Sequence, residues 1–292
     1  METLFRWSKL VSDAALEDWE TRLTIDGVCF TAEKPIRRKR WQIASYSDER
    51  LEAERLKLEY GGSVSLVSPE DWEPQIGGPD SPPIRIRSRI IVTEASEADR
   101  LSALAEEFPD RIILSFPPQL AFGTGSHPTT AHCLRFLTDL ADRAAVALKS
   151  WRLLDLGCGS GILAIAAIKL GASEAVAVEF DEQALAFARR NAERHGVSDR
   201  ITFHLGDAIA ASEEASWGQF EIVAANLFSD LLVELYPKLI PSLKKDGDLI
   251  VSGFLTTQTP LIVEAGEQAG LPLIEFARRG KWVAARSRVP SR

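Results

Sequence analysis

Leu153-Leu154-Asp155-Leu156-Gly157-Cys158-Gly159-Ser160-Gly161-Ile162-Leu163-Ala164 reads as an apolar strand, a glycine turn and the start of a helix. Gly157, Gly159 and Gly161 occupy alternate positions, so the turn is tight and carries few side chains. A ligand can lie directly on such a backbone, and the helix N-terminus behind it is electropositive. The dinucleotide fingerprint needs its last glycine three residues after the second. Ile162 stands at that place, so the G-x-G-x-G spacing argues against a nicotinamide cofactor.

Downstream of this stretch the chain alternates strand and helix. Strands are expected near 152–157, 174–180, 201–206, 220–226 and 248–254, with one intervening helix ending at Gly196 as its left-handed cap. Leu271–Phe276 and Trp282–Arg286 read as a closing hairpin around Arg279-Gly280. The pattern implies an α/β fold, a doubly wound and mostly parallel sheet with helices on both faces and an antiparallel hairpin at its end. Ligands of such sheets sit at the carboxyl ends of the strands.

Candidate site residues are found at those ends. Ala175-Val176-Ala177-Val178-Glu179 ends in an acid 22 residues after Gly157, and a carboxylate there can accept both hydroxyls of a ribose. Asp181 is better suited to capping the next helix. Asp207, after Phe203-His204-Leu205-Gly206, can accept an adenine amino group. Asn226 closes the apolar run Val223-Ala224-Ala225, and its carboxamide can both donate and accept. Upstream, Leu120–Ala131 holds Gly123, Gly125, His127 and Pro128; Pro128 keeps His127 extended until Thr129 or Thr130 caps a helix.

Residues 1–70 read as a small α+β unit with the order β-α-β-β-α-β, the ferredoxin-like pattern, with Trp19 in its core. Its basic run Arg37-Arg38-Lys39-Arg40 reads as a solvated loop tip. Residues 71–83 are rich in Pro and Gly, and 71–115 read as a linker with a short strand, in which Ile84, Ile86 and Ile90 alternate with Arg85, Arg87 and Arg89, and a helix at Ala98–Phe108. The second domain then spans 116–292.

Of the 292 residues, 45% are hydrophobic and 26% charged, ordinary for a globular chain with a sizeable core. A net charge of −8 gives no global field for nucleic acid, and direct nucleic-acid binding is not expected. The three cysteines (Cys29, Cys133, Cys158) have no metal-ligand spacing, so no metal is expected and a reducing cytosol fits. No apolar run is long enough for a membrane span, and a cytoplasmic monomer is the expectation.

Asp155-x-Gly157-x-Gly159-x-Gly161 after a strand resembles the cofactor loop of class I methyltransferases, which use S-adenosylmethionine. Four stretches together resemble one family among them: Ala121–Thr130 (A-F-G-T-G-S-H-P-T-T), the Gly157 loop with Ile162–Ala167, Ala225-Asn226-Leu227, and Ser252-Gly253-Phe254-Leu255. This is the ribosomal protein L11 methyltransferase family, and the resemblance covers residues 116–288. It implies S-adenosylmethionine as cofactor, with the family's cofactor positions falling on Thr130, Gly157, Glu179 and Asn226; Gly159 and Gly161 of the same turn and Asp207 join them as cofactor-binding candidates, and Asn226, whose carboxamide can orient the acceptor amine, is the candidate catalytic residue. It implies N-methylation of lysine ε-amino or N-terminal α-amino groups of large-subunit ribosomal protein L11, with residues 1–70 recognising the substrate. Glu179 stands where the family has Asp, and Phe116-Pro117-Pro118 where it has Asp-Pro-Gly. The alternatives are the same chemistry on another protein, or a module that binds S-adenosylmethionine without turnover.

Overall fold

The computed structural model describes residues 4–26, 28, 30–33, 40–47, 49–67, 82–117, 127–147, 149–212 and 215–290. The chain divides into two compact units, Met1–Ile76 and Gly77–Arg292.

The first unit runs β1 (Leu4–Val11), α1 (Leu16–Ile25), β2 (Thr31–Glu33), β3 (Trp41–Ser47), α2 (Arg50–Tyr60) and β4 (Ser63–Val67). Its four strands are antiparallel in the order β2-β3-β1-β4, the ferredoxin-like arrangement expected from the element order. Trp7, Leu23, Ile43, Ala53, Leu56 and Tyr60 form its buried centre, while Trp19 is only half-buried against it. Trp7 wins the central place because its indole N–H has an acceptor there, the Gly61 carbonyl at 2.7 Å. Asp13 accepts from the Trp41 indole at 2.7 Å, and α1 starts after a short 3-10 turn at Asp13–Ala15. The basic run at 37–39 and the Pro/Gly-rich stretch at 71–81 lie outside the described residues.

The second unit opens with β5 (Ile84–Ile86), β6 (Ile90–Thr93), α3 (Ala98–Glu107) and β7 (Ile112–Ser115), which form a three-stranded sheet β5-β6-β7. The alternating Ile/Arg stretch is therefore a hairpin and not one strand. Arg87, in its turn, takes a positive φ of 49°. Its guanidinium makes two bonds to Asp139, at 2.9 and 2.6 Å, and Arg89 reaches Asp142 at 2.6 Å, so these two arginines are drawn into the turn by the acidic face of the next helix.

That helix is α4 (Pro128–Val146). It is followed by β8 (Arg152–Leu156), α5 (Ile162–Lys169), β9 (Glu174–Glu179), α6 (Glu182–Arg194), β10 (Ile201–Leu205), α7 (Ala208–Ser212), β11 (Phe220–Asn226), α8 (Ser229–Leu235), β12 (Leu243–Leu255), α9 (Thr259–Gln268), β13 (Leu273–Arg279) and β14 (Trp282–Arg288). The large sheet has seven strands in the order β10-β9-β8-β11-β12-β14-β13. Pairings from β10 to β12 are parallel, and β14 and β13 close the sheet antiparallel. The hairpin turn falls at Gly280-Lys281, one residue later than its sequence suggests.

Alternate residues of the central strands feed different cores. Leu153, Ile222 and Ala224 pack with α4 and α5 on one face; Leu154, Leu156, Val223 and Ala225 pack with α8 and α9 on the other. Burial on both faces explains why these strands read as unbroken apolar runs.

His195, at the end of α6, ties β7 to this framework. Its Nδ1–H donates to the Asn191 carbonyl at 2.7 Å, its Nε2 accepts from the Ser115 amide at 3.0 Å, and its ring stacks on Phe116 at 5.1 Å. An imidazole that accepts must be neutral, and burial, the largest cause, holds its pKa below 6.5. The unfolded chain takes up that proton near pH 6.5 and the folded chain only at lower pH. The contribution of His195 to stability is thus full above pH 6.5 and declines as pH falls below it. Replacing it (His195→Gln) is expected to lower stability at pH 7 and to flatten the fall between pH 7 and pH 5 by up to one proton, read by urea unfolding. An unchanged slope would contradict this.

Candidate active site

The site is built at the carboxyl ends of β8, β9, β10 and β11. The Gly157 loop leaves β8 with Gly157, Gly159 and Gly161 all at positive φ (71°, 53° and 78°), which side chains rarely tolerate. A Cβ on Gly157 would stand 2.3 Å from Leu227 Cδ2. The amides of Gly157 and Cys158 both donate to the Val178 carbonyl at 2.9 Å, and Asn191, buried in α6, donates to the Ser160 carbonyl at 2.9 Å. Two neighbouring elements therefore hold the loop rigid before any ligand arrives.

Glu179 is buried at the end of β9 and faces the loop. One carboxylate oxygen accepts from the Gly159 amide at 2.9 Å; the other accepts from Phe180 and Asp181 at 3.0 and 3.1 Å. A carboxylate has about four acceptor positions, two on each oxygen; Oε1 already uses both of its own, and Oε2, with one bond, keeps capacity for a ligand hydroxyl. Asp181 caps α6 through the amides of Gln183 and Ala184, as its position suggests. Asp207 is exposed and uses one oxygen, Oδ1, to accept from Ile209 and Ala210 at 2.8 and 3.1 Å.

Opposite the loop, Asn226 Nδ2 approaches Thr130 Oγ1 at 3.4 Å, joining the end of β11 to the first turn of α4. Thr130 does not cap that helix. His127 is the N-cap, with its Nδ1 toward Thr129 and its ring edge-on to Trp282 at 4.7 Å. Proline at N1 leaves the residue before it as the cap, which moves the function from Thr129 or Thr130 to His127. Burial, then the Lys281 charge, lowers the His127 pKa to about 4, so this ring is neutral at pH 7. Of the glycine-rich string before it, residues 121–126 lie outside the described residues. Gly253, at a φ of 96°, lets β12 pass beneath the exit of β11; a Cβ there would meet the Leu227 carbonyl oxygen at 2.3 Å.

One notch is lined by Thr130, Asp155, Gly157, Cys158, Gly159 and Asn226, with Ile162 and Leu163 behind. Two polar atoms in it are buried without a partner, Asp155 Oδ1 and Asn226 Oδ1. The other Asp155 oxygen accepts from the Ala164 amide at 3.2 Å. Burial raises the Asp155 pKa to about 7, against the lowering effect of that amide, and Glu179 adds to the rise. Sequence reasoning passed over Asp155 as a site residue. The signal was an acid inside the apolar strand Leu153–Leu156, two residues before the first loop glycine. Cys158, by contrast, is inert: burial pushes its thiol well above 9.

Unsatisfied acceptors, three acids (Asp155, Glu179, Asp207) and a bare backbone turn suit a ligand with cationic and hydroxyl groups. The ribosomal protein L11 methyltransferase (PrmA) family model matches residues 15–289. The chain belongs to this family. Among relatives of that name, the protein of Mannheimia succiniciproducens is 43% identical over 176 residues, 60% of this chain and 55% of that one. The protein of Pelobacter propionicus is 35% identical over 221 residues, 76% of this chain and 67% of that one. The alignments thus span between about half and two thirds of the relatives' length. Among solved structures, the ribosomal protein L11 methylase of Lactobacillus delbrueckii subsp. bulgaricus matches with a TM-score of 0.57 and 29% identity, over 71% of this chain and 99% of that one. Membership in the L11 methyltransferase family agrees with the doubly wound sheet and with the resemblance carried by the Gly157 loop and Asn226.

Proposed function

We propose that this chain transfers methyl groups from S-adenosylmethionine to lysine ε-amino or N-terminal α-amino groups of ribosomal protein L11. The observation that carries the reading is the pair of unpartnered buried oxygens, Asp155 Oδ1 and Asn226 Oδ1, at one glycine-lined notch. Family membership supplies the substrate class. A ribosomal-protein substrate in turn supports a cytoplasmic enzyme, and we take it to act as a monomer without direct nucleic-acid contact.

Each residue has a task within this reading. The turn Gly157–Gly161 carries the amino-acid end of the cofactor, with Asp155 beneath it. Glu179 accepts the ribose hydroxyls, and the unused oxygen of Asp207 accepts the adenine amine. Thr130 and Asn226 orient the acceptor nitrogen. The first unit recognises the protein substrate, a role supported by the family resemblance. When bound, the cofactor supplies an activated methyl group on a sulfonium.

The acceptor must present a lone pair. Deprotonating a lysine of ordinary pKa ~10.4 at pH 7 costs about 4–5 kcal/mol, and an α-amino group at about 7.7–8.0 needs far less. A dry setting beside Asn226 lowers the lysine pKa and supplies part of that. His127 has Nδ1 committed to its own helix, and we assign no general base. Rate enhancement then rests on alignment of nitrogen, methyl carbon and sulfur.

Intact-mass analysis of purified L11 after incubation with the enzyme and S-adenosylmethionine tests the reading. Gains in steps of one methyl are expected. With Asn226→Ala, kcat should drop about 100-fold or more while cofactor affinity changes less. Cofactor binding without any mass gain would defeat the assignment of L11 as substrate.

A further inference from the structure

A second polar cluster lies outside the cofactor notch, on the face of α4 that packs against β13 and the β5–β6 turn. His132, Arg135 and Asp139 are spaced i, i+3, i+7 and share this face. Arg135 Nη1 stands 3.3 Å from His132 Nδ1. A guanidinium can only donate, so Nδ1 is the acceptor and the hydrogen sits on Nε2. His132 is 8% exposed, and its Nε2 is buried with no hydrogen-bond partner. A buried donor without an acceptor points to a missing group.

The charges that act on His132 are those of arginines, and the acid that shares this face, Asp139, is paired with Arg87. Arg135, Arg279 and Arg87 all depress the protonation of His132, after burial, and Arg87 and Arg279 also act on Arg135. Arg87 is neutralised by its two bonds to Asp139, and Arg89 by Asp142. Among the described residues neither Arg135 nor Arg279 has an acidic partner. Two guanidinium groups without an acidic partner among the described residues thus act on one imidazole whose Nε2–H is orphaned, and α4 packs against β13, the strand that carries Arg279. Two positive charges with several donors match a dianion of three or more oxygens better than a carboxylate, which offers one charge and two oxygens.

We propose that His132, Arg135 and Arg279 form an oxyanion site for a phosphate-type dianion. Its place bears on function. His132 lies five residues along α4 from His127, about 7–8 Å at the helical rise, and β13 Arg279 pairs with Trp282, whose ring rests on His127. The cluster thus lies on the same helix, α4, whose first turn carries Thr130 of the notch.

The test is a titration of the full chain with inorganic phosphate at constant ionic strength, followed by the imidazole nitrogen signals. Only four histidines are present, so His132 is readily assigned. Saturable movement of the His132 signals is expected in a range on the order of millimolar, with sodium chloride and acetate giving none. Arg135→Ala and Arg279→Ala should each weaken it about tenfold or more, as loss of a charge-assisted contact does. Arg278→Ala, whose guanidinium is turned to the Gly280 carbonyl, should leave it unchanged. Unmoved signals of His127, His195 and His204 report an intact fold. If Arg135→Ala disturbs them, Arg279→Ala, on an exposed edge strand, carries the test. No saturable shift with phosphate, an equal response in the arginine variants, or acetate acting as strongly as phosphate would each overturn the proposal.

Discussion

Gly157→Arg should abolish S-adenosylmethionine binding, with an affinity loss of 100-fold or more, about 3 kcal/mol. Three effects add. Gly157 has a φ of 71°, where a side chain costs about 1–2 kcal/mol. Its Cβ would sit 2.3 Å from Leu227 Cδ2, the movable end of a side chain that lies directly after Asn226. The new side chain must also cross the turn on which the ligand lies, carrying a positive charge toward a cationic ligand. Gly157→Ala, with the first two effects only, should lose about tenfold. Titration calorimetry on variants with wild-type circular dichroism separates these results from misfolding. A folded Gly157→Arg protein with unchanged affinity would mean that the ligand does not lie on this loop.

The second large effect concerns Asp155. Its carboxyl titrates near pH 7, and its free oxygen is buried in the notch. A cationic ligand favours the ionised form, so binding should release a proton at and below pH 7. Affinity should therefore fall as pH drops, by about tenfold from pH 8 to pH 6. Above pH 8 it should level off, because the carboxyl is already charged. Asp155→Asn should bind about tenfold or more weakly at pH 8 and lose most of the slope. Calorimetry in buffers of different ionisation enthalpy counts the proton directly. An identical pH slope in Asp155→Asn would assign the proton to another group.

The glycine spacing and strand–helix alternation made the sheet legible because each is a local consequence of backbone sterics and burial. The same holds for Asp181, whose cap needs only the next two amides. Other features depend on partners far along the chain. Arg87 and Arg89 alternate with isoleucines and resemble one face of a strand, yet Asp139 and Asp142, more than fifty residues on, bend that segment into a hairpin. Asp155 is one letter in a common motif; that one of its oxygens has no partner appears only once α5 is packed beside it. His132 lies at an ordinary core position of an amphipathic helix, and only the approach of β13 surrounds it with arginines.

A crystal structure with S-adenosylhomocysteine bound is the most direct test of the central claim, that one ligand is held between the Gly157 loop, Glu179 and Asn226. The predicted result has the ribose hydroxyls within about 3 Å of the Glu179 carboxylate and the amino-acid end on the glycine turn. Asp155 Oδ1 and Asn226 Oδ1 should then each gain a partner, from the ligand or through one water. A ligand seated elsewhere, with both oxygens still unpaired, would contradict the account.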